Sequence, residues 1–192
     1  MDFEDLELVK QAKQGNIAAF EQLFNRYQKR IFNFILRMLQ NREDSAELTQ
    51  DTFVKAYRSL AKLKSDVAFS SWLHQIAINL VRDKLRKHKL KTDSIDAPEE
   101  TEDGTVYSID IPDVTANPRE VTVKSELQVR IKNAIASLPA QYREVIILYH
   151  IEDIDIPEIS RILKIPNGTI KSRLSRAREM LKSKLSKYVI TQ

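Results

Sequence analysis

The sequence contains no cysteine. That excludes a disulfide framework, a thiolate zinc site and a cysteine nucleophile, and it fits a reducing cytoplasm. Glycine is nearly as scarce, with three in 192 residues. That is too few for Gly-rich phosphate loops and suits helices throughout. No stretch approaches the roughly 18 consecutive apolar residues of a membrane span, so no membrane insertion is expected. The N-terminus, MDFEDLELVKQAKQG, is acidic and amphipathic and lacks the apolar run of a signal peptide. His74, His88 and His150 lie far apart, with no carboxylate at metal-ligand spacing. Glu43, Asp44 and Glu47 read as helix-start charges rather than an acid/base pair. No metal, no cofactor and no enzymatic activity are expected.

What the chain does have is charge in blocks. Residues 1–92 carry 17 Lys/Arg against 11 Asp/Glu, a net of +6. Residues 93–123 carry 1 against 9, a net of −8, and residues 124–192 carry 13 against 7, a net of +6. Two basic regions flank an acidic connector, a layout that favours polyanionic partners. The connector also holds three of the six prolines. It reads as a flexible linker without a core of its own. Its isolated Val106, Tyr107, Ile109 and Ile111 suggest that it docks on something.

Both basic regions show helical periodicity. Leu6, Val9 and Ala12 form a short helix that ends at Gly15. Asn16 can cap a long helix carrying Phe20, Leu23, Phe24, Tyr27, Ile31, Phe34, Ile35 and Met38. Asn41 can cap a third, with Ala46, Thr49, Phe53, Ala56 and Leu60 turned inward. A fourth helix begins near Ser71 with a core stripe of Trp72, Leu73, Ile76, Ala77 and Leu80. Four more follow after the linker, the first stopping at Pro139. The expected fold is all-α. It comprises an N-terminal helical bundle (1–92), an acidic linker (93–123) and a four-helix C-terminal domain with a helix-turn-helix (124–192).

The helix-turn-helix spans Ile156–Arg178. Ile159, Ile162, Leu163, Ile165, Ile170 and Leu174 would lock two short helices across the turn, with Pro166 ending the first and Asn167 capping the second. At 100° per residue, Ile170, Leu174, Ala177 and Leu181 of the second helix face inward. Lys171, Ser172, Ser175 and Arg176 face away, and Arg173 and Arg178 lie on the flanks. A major groove admits one helix, read by Arg and small hydroxyl residues, with phosphates at its sides. The amides of Gly168 and Thr169 could hold a further phosphate at the helix start. A solvated basic surface helix would share the composition. It would not share the turn, the apolar ladder and the four Lys/Arg within residues 171–178.

The helix from Ser71 to Lys91 offers a different surface. Gln75, Asn79, Arg82, Arg86 and Lys89 form a polar stripe that turns basic along its length. Phe69, Ser70 and Trp72 stand at its start, after a polar loop. Aromatics beside a basic track suit single-stranded nucleic acid, which stacks its bases and neutralises its phosphates. An extruded base would need a pocket such as the Ser65–Ser70 loop could supply. Phe69 and Trp72 could instead be core, for Trp72 as readily as a DNA contact, and Asn79 is the better candidate for direct contact.

These segments resemble a known family. AFSSWLHQIAINLVRDKLRK is similar to the minus-ten recognition and melting helix of extracytoplasmic-function sigma factors, of the RpoE/SigW group within the sigma-70 family. LPAQYREVIILYHIEDIDIPEISRILKIPNGTIKSRLSRAREML is similar to their minus-thirty-five-binding domain, and NREDSAELTQDTFVKAYRSL to their core-polymerase-binding helix. The resemblance covers all but the linker. It implies minus-thirty-five contacts from Thr169, Lys171, Ser172, Arg173, Ser175, Arg176 and Arg178. It implies minus-ten contacts from Phe69, Ser70, Trp72, Gln75, Asn79, Arg82 and Arg86. It also implies docking of Glu47, Gln50 and Asp51 on the clamp coiled coil of RNA polymerase core, with the C-terminal domain on the flap. The implied partners are core polymerase, promoter DNA and an anti-sigma factor, and the linker would run toward the active-site cleft. Gln75 and Ser175 depart from residues common in the family, so the promoter sequence does not carry over. A dimeric helix-turn-helix repressor would explain the C-terminal motif but not the basic–aromatic helix. An RNA-binding antitermination protein would explain only the single-strand features.

Overall fold

The computed structural model describes residues 3–63, 69–92 and 118–189. Among them every regular element is helical. The N-terminal domain comprises α1 (Phe3–Lys13), α2 (Ile17–Leu39), α3 (Arg42–Ser59) with a 3₁₀ turn over Leu60–Lys62, and α4 (Phe69–Thr92). The C-terminal domain comprises α5 (Pro118–Ala136), α6 (Ala140–Ile146) with a π turn over Ile147–Ile151, α7 (Ile156–Leu163) and α8 (Asn167–Val189).

The helix boundaries follow from local chemistry. Gly15 takes φ +93°, a left-handed conformation that costs glycine little. Asn16 then caps α2, accepting from the Ala19 amide at 3.1 Å, and Asn41 caps α3, accepting from the Asp44 amide at 2.9 Å. The centre of α2 is the axis of the first core, with Leu23, Ile31, Phe34, Ile35 and Met38 buried. Asp5 pins α1 to α2 by accepting from Arg26 and from the Tyr27 hydroxyl. Burial first, and then the Asp5 carboxylate, hold the Tyr27 phenol well above its ordinary pKa.

Several expectations need correction. Thr49, Phe53, Ala56 and Leu60 face inward as expected, but Ala46 is exposed and the inward face of α3 is completed by Ser45, Leu48 and Thr52. Small hydroxyl residues can sit there because each bonds the carbonyl one turn back. Ser45 donates to Asn41, Thr49 to Ser45 (2.6 Å) and Thr52 to Leu48 (2.7 Å). In α4, Trp72 and Ile76 are only half-buried, while His74, Ile78 and Val81 are buried. Helix α5 starts at Pro118, inside the stretch read as linker. A proline at the first helical position is already set to helical φ. Asn167 is the first residue of α8 rather than its cap. The Pro166 carbonyl accepts from Thr169 at 2.9 Å and from Ile170 at 3.1 Å. The turn before it closes on Lys164 at φ +55°. The linker residues Val106, Tyr107, Ile109 and Ile111 lie outside the described residues.

The two domains touch. Helix α7 packs on α4, and α2 meets both α5 and α6.

Candidate nucleic-acid interface

Helix α8 is the second helix of a helix-turn-helix whose first is α7. Asp155 caps α7 by accepting from the Glu158 amide at 2.8 Å. Ile159, Ile162 and Leu163 of α7 and Ile170, Leu174 and Ala177 of α8 are buried together. This ladder fixes the rotation of α8. It leaves Lys171, Ser172, Ser175 and Arg176 exposed on its outer side. The Ser172 hydroxyl is turned back on the Thr169 carbonyl at 2.9 Å. The Thr169 side chain is half-buried and its amide is engaged by Pro166, which removes that amide from the expected phosphate site.

The flanking arginines differ. Arg178 is exposed, lies 5.8 Å from the Tyr149 ring centroid and donates through Nε to His150 Nε2 at 3.3 Å. Arg173 turns inward and pairs with Glu144 at 3.2 Å, an acid 3% exposed. Its expected place on a phosphate flank is therefore taken up by a carboxylate.

On α4 the picture is mixed. Phe69 is 2% exposed, with its ring edge-on to Tyr27 at 5.5 Å. It is core and not a stacking platform, because its ring is buried in the cluster that holds Tyr27 of α2. Trp72 is half-buried, 6.0 Å from Phe69, and Ser70 is also half-buried. Asn79 is exposed, as is Arg86, which pairs with Asp83 at 3.0 Å. Gln75 donates to the Arg161 carbonyl at 3.2 Å. Arg82 grips Glu144 through Nε and Nη2 at 2.8–3.0 Å. Two of the residues expected to meet DNA are thus occupied by the C-terminal domain.

On α3, Glu47, Gln50 and Asp51 share an exposed face. Lys84 of α4 reaches Asp44 at 2.7 Å and Glu47 at 3.2 Å, and its ammonium pKa is raised by Asp44 first and Glu47 second. Among the described residues no group of His and acids could hold a metal.

Residues 23–91 match sigma-70 region 2, and residues 128–181 match sigma-70 region 4. SigW, an ECF RNA polymerase sigma factor of Bacillus subtilis, is 36% identical over 177 residues, covering 92% of this chain and 94% of SigW. The chain belongs to the ECF sigma factors of the sigma-70 family. The sigma-E factor of Escherichia coli K12 is 30% identical over 190 residues, covering 96% of each chain. In three dimensions this sigma factor is similar to CnrH, solved in complex with the cytosolic domain of CnrY. The TM-score is 0.68 at 25% identity, covering 95% of this chain and 97% of CnrH. Region 2 thus corresponds to α2–α4 and region 4 to α5–α8.

The charge blocks, the caps at Asn16 and Asn41 and the outer face of α8 are all legible in the sequence. The buried acids Glu144 and Glu152 are not, because each is read locally as one more exposed helix charge. No carboxylate stands at metal-ligand spacing from His74 in the sequence. The fold brings its Nε2 to 3.5 Å from Glu152, 78 positions on (152 minus 74).

Proposed function

We propose that this sigma factor carries core RNA polymerase to promoters, with the labour divided among three surfaces. The observation that carries the reading is the outer face of α8. It offers Lys171, Ser172, Ser175 and Arg176 on a helix whose rotation is fixed by a buried ladder. That face suits base edges in a major groove at the minus-thirty-five element, with Arg178 on a flanking phosphate. Helix α4 supplies Ser70, Trp72, Gln75, Asn79, Arg82 and Arg86 for the opened minus-ten strand. Phe69 supports Trp72 from the core instead of meeting DNA. The acidic face of α3, with Glu47, Gln50 and Asp51, docks on the clamp coiled coil, and region 4 sits on the flap.

The functional units are residues 1–92 and 124–192, joined by the acidic stretch 93–123. The protein works in the cytoplasm as a transcription factor without catalysis of its own, and no helix of the described residues is long and apolar enough to cross a membrane. CnrH was solved with a bound protein partner. By analogy we assign this chain an anti-sigma partner that restrains it until a stress signal.

The test is transcription in vitro. Purified protein and core polymerase should start transcripts at discrete promoters, and neither should do so alone. Tight duplex binding by the protein without any initiation would instead identify an operator-binding repressor.

A further inference from the structure

Helix α1 stands outside the stretch that matches sigma-70 region 2, which begins at residue 23. It is nonetheless built into the first core. Val9 and Ala12 are buried, and α1 packs both on α2 and on the turn over Leu60–Lys62. Its buried acid is Asp5, 7% exposed. A buried carboxylate is costly unless its oxygens are satisfied, and here both are. Oδ1 accepts from Arg26, and Oδ2 accepts from the Tyr27 hydroxyl. Arg26 also meets Glu4 at 2.8 Å on the solvent side, so α1 holds this guanidinium with two acids.

The bond to Tyr27 reaches further than the tether to Arg26. The Tyr27 ring is buried and stands edge-on to Phe69 at 5.5 Å, with the two planes at 69°. Phe69 is the first residue of α4 and lies 6.0 Å from Trp72. Trp72, at the end of this line, is half-buried. A continuous path therefore runs from the Asp5 carboxylate through two buried rings to the indole. Closely packed rings admit few mutual arrangements. Where Tyr27 is pinned decides where Phe69, and with it the indole, can settle. Burial first, and Asp5 second, raise the pKa of the Tyr27 phenol, so its hydroxyl stays a donor at neutral pH.

We propose that α1 belongs to the strand-reading apparatus, with Asp5 and Tyr27 as positioning residues that set the indole of Trp72 for the opened minus-ten strand. Both are buried and act through Phe69 rather than on the strand. An indole gains most from stacking on a base when its orientation is fixed beforehand, because less freedom is then lost on binding. The path from α1 supplies that fixed orientation. Arg26 and Glu4 hold α1 in place and are not part of the path. This inference rests on the proposed role of Trp72 at the opened strand.

Trp72 is the single tryptophan of the chain, so intrinsic fluorescence excited beyond tyrosine absorption reports on this site alone. The test uses the full chain with Asp5→Ala and, separately, with Tyr27→Leu. Each should show a higher quenching constant with the neutral quencher acrylamide. In holoenzyme, permanganate-reactive thymines should fall about two- to tenfold, the range of an edge-to-face ring contact, while affinity for core polymerase and for a minus-thirty-five duplex stays within about twofold. The two substitutions act through one ring. Asp5→Ala should therefore change neither quenching nor melting further in the Tyr27→Leu chain. An acid that merely held α1 through Arg26 would add its own loss there, and such additivity overturns the proposal. So does a quenching constant that matches the parent in either single variant. Raised quenching with parental melting is decided by Trp72→Ala. If that variant melts promoters poorly, the positioning role is overturned. If it melts them like the parent, the reading of Trp72 as a strand contact is what fails. Should circular dichroism show either variant unfolded, Tyr27→Phe, which gives up only the bond to Asp5, is read by quenching and melting with the same outcomes deciding.

Discussion

Helices α4 and α8 are both amphipathic, both basic and of nearly equal length, yet they meet solvent on different terms. On the outer face of α8, Lys171, Ser172, Ser175 and Arg176 are exposed, and the inward-turned Arg173 is held within its own domain. The polar stripe of α4 is divided. Asn79 and Arg86 are exposed, whereas Gln75 and Arg82 are bonded to the other domain. A duplex reader can be displayed permanently, because duplex DNA presents a fixed groove that it fits or does not. A strand reader with aromatic and cationic groups binds any exposed single strand.

The largest expected effect separates the two helices. Lys171→Ala with Arg176→Ala should weaken binding of the holoenzyme to promoter duplex by about 100-fold, at about 1–3 kcal/mol for each good base contact. Asn79→Ala with Arg86→Ala should leave that affinity nearly intact and instead reduce permanganate-reactive, melted thymines. Equal loss of duplex binding by both pairs would erase the distinction between the helices. Next in size is the α3 surface. Asp51→Lys should lower affinity for core polymerase by about tenfold in a pull-down titration, as reversal of an interface charge does. An unaffected titration would move the docking face off α3.

The comparison also shows what a sequence can disclose. The caps at Asn16 and Asn41, the turn at Gly15 and the ladder of α8 each depend on residues within about a turn of one another, so their logic is visible locally. On the inward face of α3, hydrophobicity alone favours Ala46 over Ser45 and Thr52, yet Ala46 is exposed and the two hydroxyl residues are buried. Backbone-bonded hydroxyls reverse that ranking. Phe69 beside a basic track allows either a stacking platform or a core ring in sequence, and what decides for core, its partner Tyr27, stands on a different helix. The division of α4 was out of reach for a stronger reason. Arg82 and Glu144 are separated by 62 positions, and Arg30 and Glu152 by 122. Nothing local marks either acid as buried.

A smaller effect sharpens the account of the covered half. Burial pushes the Glu152 carboxyl up. Hydrogen bonding to His74 and Arg30 outweighs that and holds its pKa below the ordinary glutamate value. A carboxylate whose folded pKa is depressed stabilises the folded arrangement above its unfolded pKa. That contribution is lost as pH falls through the folded value. The stability difference between the parent chain and Glu152→Gln should therefore be flat from about pH 5 to 8 and shrink toward zero in stronger acid. Thermal unfolding across that range checks it. A difference that grows on acidification would mean that Glu152 is strained in its site rather than held.

The smallest effect concerns the open half. Arg178 donates to His150, and the Tyr149 ring lies beside it. Burial first, and the Arg178 charge second, lower the His150 pKa. The neutral ring is the form that accepts this bond, so the hold on Arg178 is present at neutral pH. It is lost as pH falls through the lowered value, when imidazolium and guanidinium repel. Two consequences oppose each other on acidification. Added positive charge strengthens binding to duplex DNA in general, while release of Arg178 frees a side chain that must then be ordered again on a phosphate. If the hold matters, His150→Phe should cost about two- to threefold in duplex affinity at pH 7.5, in line with an exposed contact of about 0.5 kcal/mol. The parent should then gain less affinity than other basic proteins between pH 7.5 and 5.5. A His150→Phe variant that matches the parent at both pH values would show that Arg178 finds its phosphate unaided, leaving the four outer residues of α8 to account for the duplex reading.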